Sequence, residues 1–157
     1  MKFNILLQRF DKIKEEWNKD TQIDFQFKNK EYSEDLARLA LEIPFQHNKY
    51  LNHYTDISQL KTSLEFEHRK LMRERREYYR GEADGKVYAE KPFGKKLSTE
   101  GVLKVYMDSD DELIDLEAKI KYMDQILYFL DQVMKQITNR GFQIKSAIEW
   151  EKFINGT

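Results

Sequence analysis

The sequence predicts a mainly α fold: a helical subunit with long amphipathic helices, a basic mobile loop and a C-terminal oligomerisation helix. Three observations carry that expectation. Two prolines and six glycines in 157 residues leave long uninterrupted segments, and so little punctuation favours helices. Apolar residues recur at three- and four-residue steps over most of the chain, the mark of amphipathic helices. Four of the six glycines and one of the two prolines fall between Gly81 and Gly101, which singles out one loop in an otherwise helical chain.

The elements follow in order. Phe3, Leu6, Leu7, Phe10, Ile13 and Trp17 set the first helix over 3–17. Ile23, Phe25 and Phe27 alternate, which suits a short extended stretch or a connector laid over the core. Ser33 is placed as an N-cap, with Glu34 and Asp35 in the first turn where the helix dipole favours anions. Leu36, Leu39, Ala40 and Ile43 form a stripe that Pro44 ends or kinks. Phe45, Tyr50, Leu51 and Tyr54 continue as a second amphipathic piece. Asp56 and Gln59 fit a capping box, opening a long helix over 57–79 on Ile57, Leu60, Leu64, Leu71 and Tyr78. Residues 81–101 are the loop. Asp108 or Ser109 caps the next helix, whose Leu113, Leu116, Ile120, Met123, Leu127, Leu130, Met134 and Ile137 alternate three- and four-residue steps like a and d positions. Gly141 stands as its C′ residue. A final helix over 142–154 is apolar on more than one face, which suggests burial against other subunits through Phe142, Ile144, Ile148, Trp150 and Phe153, joined by Leu127, Leu130, Met134 and Ile137.

Charge is nearly balanced, 27 Lys and Arg against 28 Asp and Glu. Its distribution is not: residues 1–67 carry a net −2, residues 68–104 a net +5 and residues 105–157 a net −4. A basic middle between acidic flanks says more about partners than the total does. Cysteine is absent, which excludes disulfides, thiolate metal sites and Cys nucleophiles. No apolar run approaches the ~20 residues that span a bilayer, and the N-terminal apolar stretch is too short for a signal peptide, so a cytosolic protein is expected. His47, His53 and His68 are not spaced as a zinc site. The chain carries no HExxH, no GxxxxGK[ST] and no GxGxxG after a strand, so no enzyme, metal or cofactor is expected.

The informative segment is His68–Arg80, with six basic and two acidic residues. Arg69, Arg73, Arg76 and Arg80 are spaced 4, 3 and 4 and share one helical face, flanked by Lys70 and Arg75. Tyr78 continues the apolar stripe, so it is assigned to the core. Tyr79 ends the run, and Lys86, Lys91, Lys95 and Lys96 make the following loop basic. Guanidinium forks bind phosphates bidentately, and tyrosine faces stack on unpaired bases. With no duplex-reading motif present, the pattern points to single-stranded nucleic acid. One stripe supplies few phosphate contacts, so binding would be salt-sensitive and would gain from several subunits acting together. The competing expectation is a non-catalytic helical assembly or adaptor protein without direct DNA binding, its basic face only paired with acids.

Two stretches resemble a known family. Arg73-Glu74-Arg75-Arg76-Glu77-Tyr78-Tyr79, with Gly81 and then Asp84-Gly85, resembles a Lys-Ala-Arg-Leu-Asp-Tyr-Tyr-x-Gly motif with a downstream Asp-Gly. The tail Arg140-Gly141-Phe142-x-Ile144-Lys145, followed by Ile148 and Phe153, resembles an Arg-Gly-Phe-Ala-Ile-Lys ending. Both motifs belong to the UvsY family, the recombination mediators of T-even-like phages, and the likeness spans roughly residues 23–154. The resemblance implies a non-enzymatic protein that binds single-stranded DNA as a ring-shaped homo-oligomer, heptameric by analogy. It implies further that the protein loads a RecA-like recombinase onto strands covered by single-strand-binding protein, in the cytoplasm of the infected bacterial host. Carried over, the DNA-binding positions are Arg73 and Arg75. Glu74 and Arg76 depart from the motif, which has Ala and Leu there. Residues 1–104 are then expected as a DNA-binding region, with its basic part at 68–104, and residues 105–157 as the oligomerisation region.

Overall fold

The computed structural model describes residues 3–21 and 32–156. The described residues form helices α1 (Phe3–Thr21), α2 (Tyr32–Arg80), α3 (Gly85–Glu90), α4 (Glu100–Asp108) and α5 (Asp111–Asn155). No strand occurs among them, and the alternating stretch 23–27 lies outside the described residues.

α2 is one helix of 49 residues where three pieces are expected. It already includes Ser33, the residue placed as its cap, and it passes through Pro44. Proline withholds one backbone donor from the carbonyl four residues earlier. That local loss is outweighed by burial on both sides of it, at Leu36 and Leu39 before and at Tyr50 and Ile57 after. Asp56, expected in a capping box, sits within the helix and accepts from Arg9 at 2.8 Å. α5 likewise runs unbroken for 45 residues through Gly141. The described glycines at positive φ are Gly81 and Gly156 instead.

The chain divides into two compact units, one of Met1–Ile57 with Ile126–Thr157 and one of Ser58–Gln125. In the first, Leu6 and Ile13 of α1 are buried, as are Ile126, Leu130, Val133 and Ile137 of α5. Phe10 meets Phe129 edge to face at 5.4 Å, and Trp17 meets Tyr50 in the same way at 5.4 Å. The buried Tyr50 hydroxyl donates to Asp20 at 2.7 Å, and burial together with that carboxylate raises its pKa. Leu36, Leu39 and Ile144 form a cluster with Ile43, Ala147 and Ile148 against it.

Several of the residues expected at a subunit interface therefore belong to the chain's own core. Leu130, Ile137 and Ile144 are buried, and Ile148 packs beside Ile144. Leu127 and Met134 are half-buried. The buried face runs through Met123, Ile126, Leu130, Val133 and Ile137 at steps of three and four, so it takes Ile126 and Val133, each one residue before the expected Leu127 and Met134. Phe142, Trp150 and Phe153 remain outside, at 67%, 63% and 77% exposure.

The second unit builds on Leu97, Leu103, Met107 and Leu113, with Leu71, Tyr79, Phe93 and Tyr106 packed around them. The segment expected as a loop is thus folded. Asp84 accepts from the Lys86 backbone N–H at 2.9 Å and opens α3, and the Leu97 N–H reaches back to the Tyr79 carbonyl at 3.0 Å. The Tyr88 hydroxyl donates to the Tyr78 carbonyl at 2.8 Å, and Tyr78 in turn donates to the Lys91 carbonyl at 3.1 Å. α2 ends in a paired closure: Gly81 N–H to Tyr78 C=O at 3.1 Å and Glu82 N–H to Glu77 C=O at 2.9 Å, with Gly81 at φ 75°.

A Cβ at Gly81 would lie 2.8 Å from Lys96 Cε and Cγ. Gly81→Ala is therefore expected to lower stability by about 1–2 kcal/mol in urea unfolding, the cost of a left-handed backbone for an L residue. At Gly141 the backbone is helical and a Cβ would make an ordinary 3.5 Å contact with Ile43. Gly141→Ala is expected to show no loss, because alanine is favoured inside a helix. Equal losses at the two glycines would contradict this difference in backbone conformation.

Candidate nucleic-acid interface

The cations of α2 share one helix but not one environment. Arg69, Lys70 and Arg73 lie on the surface. The Arg69 guanidinium sits 4.6 Å over the Phe66 ring. Lys70 lies 3.8 Å from Glu74 and Arg73 lies 4.0 Å from Glu77, each one turn along. The Lys70 and Arg73 side chains are 69% and 70% exposed. Exposed pairs of this kind are worth a few tenths of a kcal/mol and yield readily to a better anion.

Arg76 and Arg80 follow on the same face and share a partner from another element. Arg76 reaches Glu100 Oε1 at 2.8 Å, and Arg80 contacts the same oxygen. Glu100 begins α4, which is held in place by Leu103 and Met107 in the core.

Arg75 is turned inward. Its side chain is only 13% exposed. Its Nε lies 3.3 Å from Asp110 Oδ2, an ion-pair distance without hydrogen-bond alignment, and its terminal nitrogen contacts Glu112. The guanidinium also lies 5.7 Å from the Tyr78 ring. Asp110 is buried and does several things at once. Its Oδ1 accepts from the Glu112 and Leu113 N–H groups at 3.1 and 3.2 Å, capping α5. Its Oδ2 accepts from the Tyr79 hydroxyl at 2.7 Å. The cap is thus Asp110 and not Asp108 or Ser109. Ser109 closes α4 by donating from its hydroxyl to the Val105 carbonyl at 2.8 Å. Glu112 also takes Lys91 at 2.7 Å. That hydrogen bond, with Arg75 beside it, holds the Glu112 carboxyl below the usual range against the opposing effect of burial.

The tyrosine pair is structural. Tyr78 is buried and stacks on Tyr88 at 5.4 Å. The Tyr79 ring meets Tyr78, Phe93 and Tyr106 at 5.2, 5.2 and 5.6 Å. Burial and the bond to Asp110 push its hydroxyl pKa up. A ring so enclosed does not present the open face that stacking on a base requires. Lys86, Lys95 and Lys96 are exposed, and the Lys96 stem lies beside Gly81.

The structure therefore brings Arg69, Lys70 and Arg73 together as accessible cations, pairs Arg76 and Arg80 on one acid, turns Arg75 and Tyr79 into a network around Asp110, and leaves Lys91 exposed but paired with Glu112. Sequence reasoning missed Asp110, Glu100 and Glu112. One signal for Arg75 was present: it stands four residues after Leu71 and three before Tyr78, which puts it on the apolar stripe. Among the described residues no group of three or more His, Cys, Asp and Glu is placed to hold a metal. No helix among them is long and apolar enough to cross a membrane.

Comparison with known proteins adds a family. Residues 16–157 match the family model described as "Recombination, repair and ssDNA binding protein UvsY". The chain is 24% identical over 148 residues to the recombination protein uvsY of Enterobacteria phage T4, covering 94% of this chain and 98% of that one. Crystal structures of the bacteriophage T4 recombination mediator protein UvsY are similar in fold. One, of lattice type IV, has a TM-score of 0.74 at 23% identity over 92% of this chain and 98% of that chain. Another, of lattice type II, has a TM-score of 0.75 at 22% identity over 92% and 96%.

Proposed function

Because the chain belongs to the UvsY family of recombination, repair and single-stranded-DNA-binding proteins, we propose that it is a recombination mediator whose strand-binding surface is the exposed stretch Arg69, Lys70 and Arg73. The observation that carries the surface is the division among the arginines, Arg73 being 70% exposed and Arg75 13%. Lys86 and Lys95 extend the positive surface, and Arg75 acts as the brace that holds it. The protein works without catalysis, as a homo-oligomeric ring in the cytoplasm of an infected bacterium. In that ring each copy adds a few phosphate contacts at high effective concentration. Its task is to help a RecA-like recombinase onto strands covered by single-strand-binding protein. The acidic flanks of the chain suit basic surfaces on such protein partners.

The test is an anisotropy titration of labelled single-stranded and duplex oligonucleotides at about 50 and about 200 mM salt, the range over which phosphate contacts dominate the change. Single strands are expected to bind more tightly than duplex and to weaken with salt. Lys70→Ala/Arg73→Ala is expected to bind more weakly and to flatten the salt slope by about 0.7 for each phosphate no longer neutralised. Binding that ignores salt, or an unchanged variant, would overturn this reading in favour of an adaptor whose cations only pair with acids.

A further inference from the structure

Resting on the proposed strand-binding surface, we propose that Arg76 and Arg80 form a clamp for one backbone phosphate of the strand, and that Glu100 occupies the clamp until the strand displaces it. Arg76 and Arg80 are one helical turn apart on α2, and both point a terminal nitrogen at a single oxygen of Glu100. Two guanidinium groups converging on one anionic oxygen is the arrangement that receives a phosphodiester, which offers further oxygens to the same forks. The Arg80 side chain is 30% exposed, and its Nε is buried without a hydrogen-bond partner.

Accessibility separates this site from the Arg75 site. Glu100 is 64% exposed and Arg76 52%, whereas Asp110 is buried. Solvated pairs are held weakly, so a phosphate can replace Glu100 at low cost. Arg75 cannot make that exchange, because its acids also cap α5 and hold Tyr79 and Lys91.

The experiment compares the full-length wild type, Glu100→Gln, Arg76→Ala/Arg80→Ala and the three changes combined, by anisotropy with a labelled single-stranded oligonucleotide at two salt concentrations. Circular dichroism melts confirm that each variant is folded. Glu100→Gln is expected to tighten binding about three- to fivefold, the return from removing a weakly held surface competitor. The salt slope is expected to stay that of the wild type, because there too the phosphate fills the clamp once Glu100 is displaced. In the Arg76→Ala/Arg80→Ala background the same change is expected to do nothing. If Glu100→Gln binds no better than wild type while Lys70→Ala/Arg73→Ala still weakens binding, the clamp is refuted and the strand-binding surface stands. If no protein in the set binds the strand, both fall.

Discussion

Asp110→Ala is expected to lower the melting temperature by about 6–12 °C, at ~2–4 °C per kcal/mol for a chain of this size. The magnitude follows from what the carboxylate touches. Loss of the α5 cap, made at 3.1 and 3.2 Å, costs about 1 kcal/mol. The Tyr79 hydroxyl loses a 2.7 Å acceptor, and a buried donor left unmatched costs about 1–3 kcal/mol. The 13% exposed Arg75 keeps Glu112 but loses its deeper acid. Together these give about 3 kcal/mol. Asp110→Asn keeps the capping oxygen and is expected to lose about half as much, since Asn caps as well as Asp. Thermal unfolding followed by circular dichroism checks both, and Tyr79→Phe provides the cycle. In that background Asp110→Ala should cost less, because the two residues share one bond. Additive losses would mean that the network is not coupled.

On the proposal that the protein assembles into a homo-oligomer, replacing Phe142, Trp150 and Phe153 together by serine is expected to leave single chains in light scattering, with the helical signal retained. At 100° per residue the three positions fall within about 80° of one another. They are exposed, and Trp150 and Phe153 stack at 5.8 Å. The opposite side of the same helix carries Ile144, Ala147 and Ile148 and is packed against Leu36 and Leu39. Each aromatic covers roughly 150–250 Å² when buried. Losing three removes much of the ~800 Å² per partner that a specific interface uses. Deleting the chain from Arg140 onward would be a poorer test, since it also removes the buried Ile144 and unsettles the subunit. A triple variant that stays assembled would move the interface elsewhere.

These two sites mark how far the sequence could be read. The helical class, the first helix and the existence of the α5 stripe follow from spacing, because a helix imposes its period locally. Pro44 and Gly141 mislead because a chain-wide rule for breakers competes with burial of Leu39, Tyr50, Ile137 and Ile144 on either side, and burial wins. The two-faced tail is legible from 142–154, but which face the subunit keeps is decided by Leu36 and Leu39, about a hundred residues away. The basic stripe is legible as a stripe. Its division is not, because Glu100, Asp110 and Glu112 arrive from elements whose approach no local pattern encodes. Only Arg75, riding on the Leu71–Tyr78 stripe, announces in the sequence that it faces inward.

The acids beside the surface cations also govern time. Glu74, Glu77 and Glu100 are tethered within one side chain's reach of Lys70, Arg73, Arg76 and Arg80. On the proposed strand-binding surface, a cation released by the strand would have an acid at hand to recapture it before the phosphate returns. Detachment would then proceed step by step, and residence would be brief for the number of phosphates held.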